Sequence, residues 1–281
     1  MDPRTGVIIV LYYSKNQNYQ ELIGYSNVDV ILVDNTPERD LNIVDKNIHY
    51  IPLRKNKGIA AAQNMGINKA HELGCTYIVL FDQDSVIPPN YVNKIQSEFE
   101  RLKKIYPMLV VVGPTVINKE SGHEYKSAKT AINHECKLVS ALISSGSFYE
   151  LDTVWNEVGL MEEDLFIDYV DFEWCWRSMK KGYVCAITQR LKLQHKVGQN
   201  DHIFMGYPII QSAPARYYYQ YRNFLWLIGR NYVPLKWKIN VGIRKLAEII
   251  LLPFYVKAKR TILKNILLGI KDGLRHNNYI K

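Results

Sequence analysis

The chain is poor in cysteine: four in 281 residues, Cys75, Cys136, Cys175 and Cys185, with no C-x-x-C spacing. That argues against a zinc knuckle or a redox pair and suits a reducing compartment. Long apolar runs are missing too. Val7 to Leu11 is too short for a secretory signal and no small-residue cleavage pattern follows it, while Leu246 to Val256 is about 11 residues against the ~20 needed to span a bilayer and contains Glu248 and Pro253. No G-x-G-x-x-G follows the first apolar run and no G-x-x-x-x-G-K-[ST] occurs, which sets aside dinucleotide oxidoreductases and P-loop enzymes. Acid is scarce in the last quarter. Residues 206–281 hold 14 Lys+Arg against two acids, Glu248 and Asp272, a net of +12, which leaves −3 for residues 1–205 out of the total of +9. Two parts with different partners follow, 1–205 and 206–281.

What is present is a rhythm. Apolar, β-prone runs at Gly6–Tyr12, Val28–Val33, Ile48–Leu53 and Tyr77–Phe81 read as strands, with an alanine-rich helix over Gly58–Leu73 between the last two. Alternation of this kind predicts an α/β, mostly parallel, doubly wound sheet. A helix over Asn90–Tyr106, strands at Leu109–Gly113 and Leu138–Ile143, and paired strands at Tyr183–Ile187 and Arg190–Gln194 complete it.

Phe81-Asp82-Gln83-Asp84-Ser85 places two carboxylates where a buried strand ends, the edge at which open α/β sheets gather ligands. Residues two apart point the same way on extended backbone, so Asp82 and Asp84 can face one guest, and two hard oxygens suit Mg²⁺ or Mn²⁺ carrying a phosphate. Aspartates after a strand also shape turns. Asp34 and Asn35 stand at the same edge after the second strand, and Asn56-Lys57-Gly58 precedes a helix start, where free N–H groups favour a phosphate. Ser144-Ser145-Gly146-Ser147 is either a simple turn or a close approach to a ligand. In the second acidic cluster, Glu162 to Arg177, Asp168 has the position of an N-cap with Asp171 at N3 and an Ile167–Phe172 staple, and Gly182 ends the helix. A carboxylate fixed at a helix start also suits general-base work.

These residues together resemble the family 2 glycosyltransferases of the GT-A fold, and within them the bacterial rhamnosyltransferase-like branch. The motifs are Val33-Asp34-Asn35, Asn56-Lys57-Gly58-Ile59-Ala60 with Asn64-Met65-Gly66, Phe81 to Ser85, Ser145-Gly146-Ser147, Phe166 to Cys175 with Arg177, His195-Lys196-Val197-Gly198, and Tyr217-Tyr218 with Arg222-Asn223. The resemblance covers most of residues 6–230 and implies a GT-A domain over 1–205 with a helical C-terminal extension over 206–281. It implies Asp171 as general base, Asp84 and His195 as contacts to Mg²⁺ or Mn²⁺, and donor-nucleotide contacts at Tyr12, Tyr13, Asp34, Asn35, Lys57, Gly58, Asn64, Asp82 and Gln83. Acceptor or sugar contacts are implied at Ser145, Gly146, Asp168 and Trp174. The expected donor is dTDP-rhamnose, the acceptor a saccharide carried on a lipid, and the setting bacterial surface polysaccharide synthesis on the cytoplasmic face of the membrane. Where the family usually has Thr-Tyr-Asn after the first strand this chain has Tyr12-Tyr13-Ser14, which leaves the base open.

The basic tail offers a second expectation. Arg260, Lys264, Lys271 and Arg275 fall on one side of a helix beside an apolar arc of Ile262, Leu263, Ile266, Leu267, Ile270 and Leu274. That is the pattern of a helix lying on an anionic membrane surface, or of one packed on protein with its charges solvated. Three alternatives stay beside the main reading. They are transfer from another nucleotide sugar (galactofuranose, N-acetylglucosamine), a haloacid-dehalogenase-like phosphohydrolase using Asp82 as nucleophile, and a nucleic-acid-binding module using the tail, although no nucleic acid is expected.

Overall fold

The computed structural model describes residues 3–14, 19, 22, 25–41, 43, 47–118, 124, 129–132, 136–195, 201–204, 207–210, 212–255 and 258–276. Four parallel strands, β1 (Thr5–Leu11), β2 (Val28–Asp34), β3 (Ile48–Pro52) and β4 (Tyr77–Asp82), form one side of a nine-stranded sheet. β1 and β2 are buried along their whole length and β4 through its middle, as a parallel sheet covered by helices requires, while the edge strand β3 is half-buried. Helix α1 (Ile59–Glu72) links β3 to β4, and α2 (Tyr91–Ile105) follows β4. These bounds lie within a residue or so of those read from the sequence, because propensity and hydrophobic pattern agree there.

The other half departs from expectation. β5 (Leu109–Asn118) is longer than expected, β6 (Lys129–Ile132) and β7 (Cys136–Val139) follow, and the strand expected over Leu138–Ile143 stops at Val139. The unforeseen β8 (Ser147–Glu150) inserts antiparallel between β4 and β5. Only four residues long and preceded by a serine-rich turn, it carries almost no local signal. After α3 (Val170–Lys180), which ends two residues before Gly182, the hairpin expected over 183–194 is instead one strand, β9 (Val184–His195), parallel to β5. Its ladder jumps register opposite Pro114, which has no N–H to donate. The loop-like Thr188 at the jump donates its hydroxyl to Glu98 Oε2 at 2.7 Å and accepts Thr115 Oγ1 at 2.9 Å. The sheet order is β3-β2-β1-β4-β8-β5-β9-β7-β6. All four cysteines are free and buried.

The chain divides into two compact units, one of residues 1–166 and 170–196, the other of 167–169 and 197–281. The second holds the hairpin β10 (Asp201–Phe204) and β11 (Tyr207–Ile210) and three helices, α4 (Pro214–Ile228), α5 (Leu235–Tyr255) and α6 (Lys259–His276). Its small core joins Tyr217 and Tyr221 of α4, Leu252 of α5, and Ile262 and Ile266 of α6, with Leu263 and Ile270 packed against them. Most of the apolar arc that suggested a membrane-facing α6 is therefore interior. Among the described residues no helix is long and apolar enough to cross a membrane.

Candidate active site

The C-terminal ends of β1, β2 and β4 meet at one edge, and side-chain amides knit it together. The Gln83 amide bonds the Tyr12 backbone twice, accepting from its N–H at 2.6 Å and donating to its carbonyl at 3.1 Å, so β1 and β4 are tied where they finish. Gln83 thus holds the ends of β1 and β4 together at the edge where the nucleotide is expected. Beyond it the Tyr12 and Tyr13 rings are exposed and meet edge to face at 4.8 Å, with Tyr13 at φ +49° and its N–H bonded to Thr36 Oγ1 at 2.8 Å.

Asp34 has no exposure. Its Oδ1 accepts the Thr36 N–H at 3.1 Å, an Asx-type turn, while Oδ2 accepts the Tyr50 hydroxyl at 3.0 Å and lies 3.5 Å from Arg39 Nε. At this strand end, where a nucleotide contact is expected, the carboxylate holds Thr36, Tyr50 and Arg39, none of which the sequence singled out. Asn35, also buried, accepts the Lys57 N–H at 2.7 Å and donates to Asn56 Oδ1 at 3.0 Å, and Asn56 Oδ1 accepts the Gly58 N–H at 3.0 Å. The loop before α1 is shaped by these amides. Gly58 sits at φ +87° against the Phe166 ring, where a Cβ would come within 2.6 Å, so only glycine fits. Lys57 is half-buried in this loop.

Asn64 turns out to be a buried clamp. It exchanges two hydrogen bonds with the Met161 backbone, at 2.8 and 2.9 Å, and donates to Glu163 Oε1 at 3.0 Å, fixing the segment that leads to α3. Ser145 and Gly146 are interior as well. Ser145 Oγ lies 2.6 Å from Ser85 Oγ, Gly146 N–H bonds the Leu80 carbonyl at 2.7 Å, and a Cβ on Gly146 would strike Leu193 and the Tyr91 hydroxyl within 2.8 Å. Of the two expectations for this segment, a simple turn or a close approach to a ligand, the structure shows a turn packed closely on protein. Trp174 is core: fully buried, with Nε1 on the Gly159 carbonyl at 2.8 Å and its ring edge to face with Tyr149 at 5.2 Å.

The expected N-cap also fails. Helix α3 begins at Val170, and Asp168 lies outside it at φ +68°, gripped by Arg216 through contacts of 2.7 to 2.9 Å. Asn223 donates to the Ile167 carbonyl at 2.8 Å. A bidentate arginine partner 48 residues away outcompetes a local cap.

Asp171, at the second helical position, has no basic partner among the described residues. Its oxygens accept only backbone N–H groups, of Phe172 at 2.9 Å and Ser144 at 3.2 Å. Ser144 is placed in turn by Gln63 of α1, 3.3 Å from its Oγ. Protein surrounds the Asp171 carboxylate, although solvent still reaches part of the side chain. Burial pushes its pKa up to about 7, the Phe172 and Ser144 N–H groups pull the other way, and the charge of nearby Asp82 adds to the rise. The sequence named Asp171 and the turn that starts at Ser144 but gave no sign that the two bond, nor of Gln63, since nothing local links them.

Asp82 is half-buried and its N–H lies 3.4 Å from Ser145 Oγ, whereas Asp84 is exposed on the turn beyond. Among the described residues no three ligating side chains converge to enclose a metal. Asp82 and Asp84 are hard oxygen donors, the chemistry Mg²⁺ or Mn²⁺ takes beside a diphosphate and water. The backbone of His195 pairs with Asn118, and its side chain lies outside the described residues, as does Lys196.

A family model for glycosyl transferase family 2 matches residues 14–155. The dTDP-rhamnosyl transferase RfbF of Shigella flexneri is 31% identical over 293 residues, spanning 98% of this chain and 97% of its own. The low-salt glycan biosynthesis hexosyltransferase Agl10 of Haloferax volcanii is 21% identical over 197 residues, 62% of each chain. Among solved structures, S. aureus TarS 1–349 in complex with UDP-GlcNAc superposes with a TM-score of 0.59 at 12% identity, covering 99% of this chain and 83% of that one. GalNAc-T7 with UDP, GalNAc and Mn²⁺ does so at 0.56 and 13%, covering 79% and 48%. Such identities speak to the fold alone, which is GT-A. With that fold and a near full-length relative the phosphohydrolase and nucleic-acid readings fall away, and the chain belongs to glycosyl transferase family 2, as a glycosyltransferase.

Proposed function

We propose that this enzyme moves L-rhamnose from dTDP-rhamnose to a saccharide acceptor, with inversion at the anomeric carbon and Asp171 as general base. The donor follows from the likeness to dTDP-rhamnosyl transferase RfbF along nearly the whole chain. One observation carries the chemistry: a carboxylate without a cationic partner among the described residues, raised to about 7, at the sheet edge where Asp82 and Asp84 also lie. A base with that pKa accepts a proton near neutral pH far better than an ordinary aspartate.

In this reading an acceptor hydroxyl gives its proton to Asp171 while its oxygen bonds the anomeric carbon, and the bond to the diphosphate oxygen breaks on the opposite side. One displacement inverts that centre. Asp84, with Asp82 beside it, would hold Mg²⁺ or Mn²⁺, which when bound offsets the charge of the departing diphosphate. The loop at Lys57 and Gly58 and the exposed Tyr12 and Tyr13 rings receive the nucleotide, while Asp34, Asn35, Asn64 and Gln83 serve by holding those loops. Residues 1–205 carry the transfer and 206–281 form the extension. The acceptor is a lipid-linked saccharide of a bacterial surface polysaccharide, and the basic extension keeps the enzyme on the cytoplasmic face of an anionic membrane.

The test is a screen of nucleotide sugars with Mn²⁺ or Mg²⁺ by ligand-detected NMR, followed by product analysis. Selective binding and turnover of dTDP-rhamnose is expected. Preference for a uridine-linked galactofuranose or N-acetylglucosamine donor would overturn the rhamnosyl assignment while leaving the family intact.

A further inference from the structure

Five large aliphatic side chains on α5 face solvent: Leu235 is 70% exposed, Ile239 52%, Ile243 62%, Leu246 66% and Ile250 68%. Steps of four, four, three and four residues place them within about 80° of arc at 100° per residue. The stripe runs for about 22 Å at 1.5 Å per residue. A contiguous apolar surface of this kind on a folded protein marks an interaction site. Lys236 is exposed on its flank, and Arg244 is exposed farther round the helix. On α6 the outward face is basic, with Arg260, Lys264, Lys271 and Arg275 exposed and Leu267 and Leu274 beside them.

Helices α5 and α6 together hold nine Lys+Arg against two acids, Glu248 and Asp272, so they stay strongly basic. Glu248 accepts Lys245 Nζ at 2.9 Å and the Tyr221 hydroxyl at 3.0 Å, and Asp272 accepts the Tyr218 hydroxyl at 2.9 Å. The spacing on α5 also suits a two-helix seam, but two α5 helices would set Lys236 beside no acid of the partner helix, since Glu248, the one acid of α5, lies on the far side with Lys245 and Tyr221, and such flanking charges decide partner choice in helix seams. A bilayer containing anionic phospholipid answers both features at once, taking the aliphatic stripe into its acyl boundary and the bases among its headgroups.

Resting on the membrane reading above, we infer that α5, rather than α6, is the element that enters the bilayer. The Leu235–Ile250 stripe seats in the interface, and the bases of α6 contribute attraction without insertion.

Co-sedimentation of the full-length protein tests this, with vesicles of phosphatidylcholine alone and with roughly one third phosphatidylglycerol. Wild type is expected to bind the anionic vesicles and to leave the neutral ones. Ile243→Ser with Leu246→Ser, which leaves the charge unaltered, is expected to lower the partition coefficient on the order of 30-fold or more, since two side chains lose their transfer into hydrocarbon. Leu267→Ser with Leu274→Ser on α6, which likewise leaves the charge unaltered, is expected to change it by less than about threefold, these leucines lying outside the stripe. Circular dichroism and a soluble-acceptor transfer assay verify that each variant is folded and active. Wild type that ignores anionic vesicles would overturn the membrane reading itself. Wild type that binds, with the α5 variant binding equally, would overturn only the assignment to α5. A dimer in analytical ultracentrifugation that the α5 variant dissociates, without vesicle binding, would give the stripe to a second copy and overturn the proposal.

Discussion

The two ends of the same parallel strands treat their aspartates in opposite ways. Where the strands begin, Asp29 of β2 is cancelled: Arg4 grips both its oxygens at 2.7 and 3.1 Å, His49 Nε2 lies 3.4 Å away, and Cys75 Sγ is 3.7 Å away with its thiol pushed by burial up to about 12, so that it stays neutral. Where the strands finish, Asp171 has only backbone N–H groups and a neighbouring carboxylate, and Asp84 stands exposed. Charge satisfied in place stabilises a fold. Charge left for a guest costs stability and does chemistry, the trade common at functional sites.

The sharpest break of this comparison is at Asp171. Asp171→Asn is expected to lower kcat by about 10²- to 10⁴-fold, the usual share of general-base catalysis, with donor affinity nearly unchanged. Steady-state kinetics beside calorimetric donor titration measures both, and near-normal turnover would remove Asp171 from the mechanism. Next comes Asp84→Asn, which is expected to weaken metal-dependent nucleotide diphosphate binding by about 10- to 100-fold, the range seen when a metal's supporting partners are lost. Unchanged calorimetric affinity with and without Mn²⁺ would refute it.

Acidity supplies a third test. Below the Asp171 pKa of about 7 the base is protonated, so log kcat should fall with a slope near one per pH unit on the acid side. A flat profile from pH 5 to 8 would contradict the poised carboxylate. The same shift has a stability side. The native state binds this proton more tightly than the unfolded chain, so between the ordinary 3.8 and about 7 stability falls as pH rises. Asp171→Asn removes that cost. Its Tm should exceed that of wild type at pH 8, with the gap closing toward pH 4, and calorimetry at the two pH values would detect a gap of the wrong sign.

The smallest expected effect lies at the other end of the strands. Arg4 is half exposed, so losing its pair with Asp29 should cost only about 1 kcal/mol. Asp29→Asn should lower the denaturation midpoint slightly and leave kcat unaltered. A large loss of activity there would erase the distinction between the two ends.

Within each end, local and distant information separate cleanly. The four parallel strands, α1, α2 and the placing of Asp82, Asp84 and Asp171 at helix and strand ends were legible in the sequence, because alternation, propensity and turn chemistry act over a few residues. Even the apolar arc of α6 was correctly seen. Which way it faced was not legible, since Ile262 and Ile266 found Tyr217 and Tyr221 on another helix, leaving α5 to carry the exposed stripe.

Residue type and spacing alone therefore determined the class of fold, the acidic edge and the division of charge between the body and the tail. Tertiary structure decided which polar residues are spent internally. Asp34 went to Tyr50 and Arg39, Asn64 to Met161 across 97 positions, Asp168 to Arg216 and Trp174 to the core, while Asp171 stayed without a cation. The physical reason is desolvation. A buried polar group must take whichever partner the fold brings within about 3 Å, and that partner is set by chain crossings that no local pattern encodes.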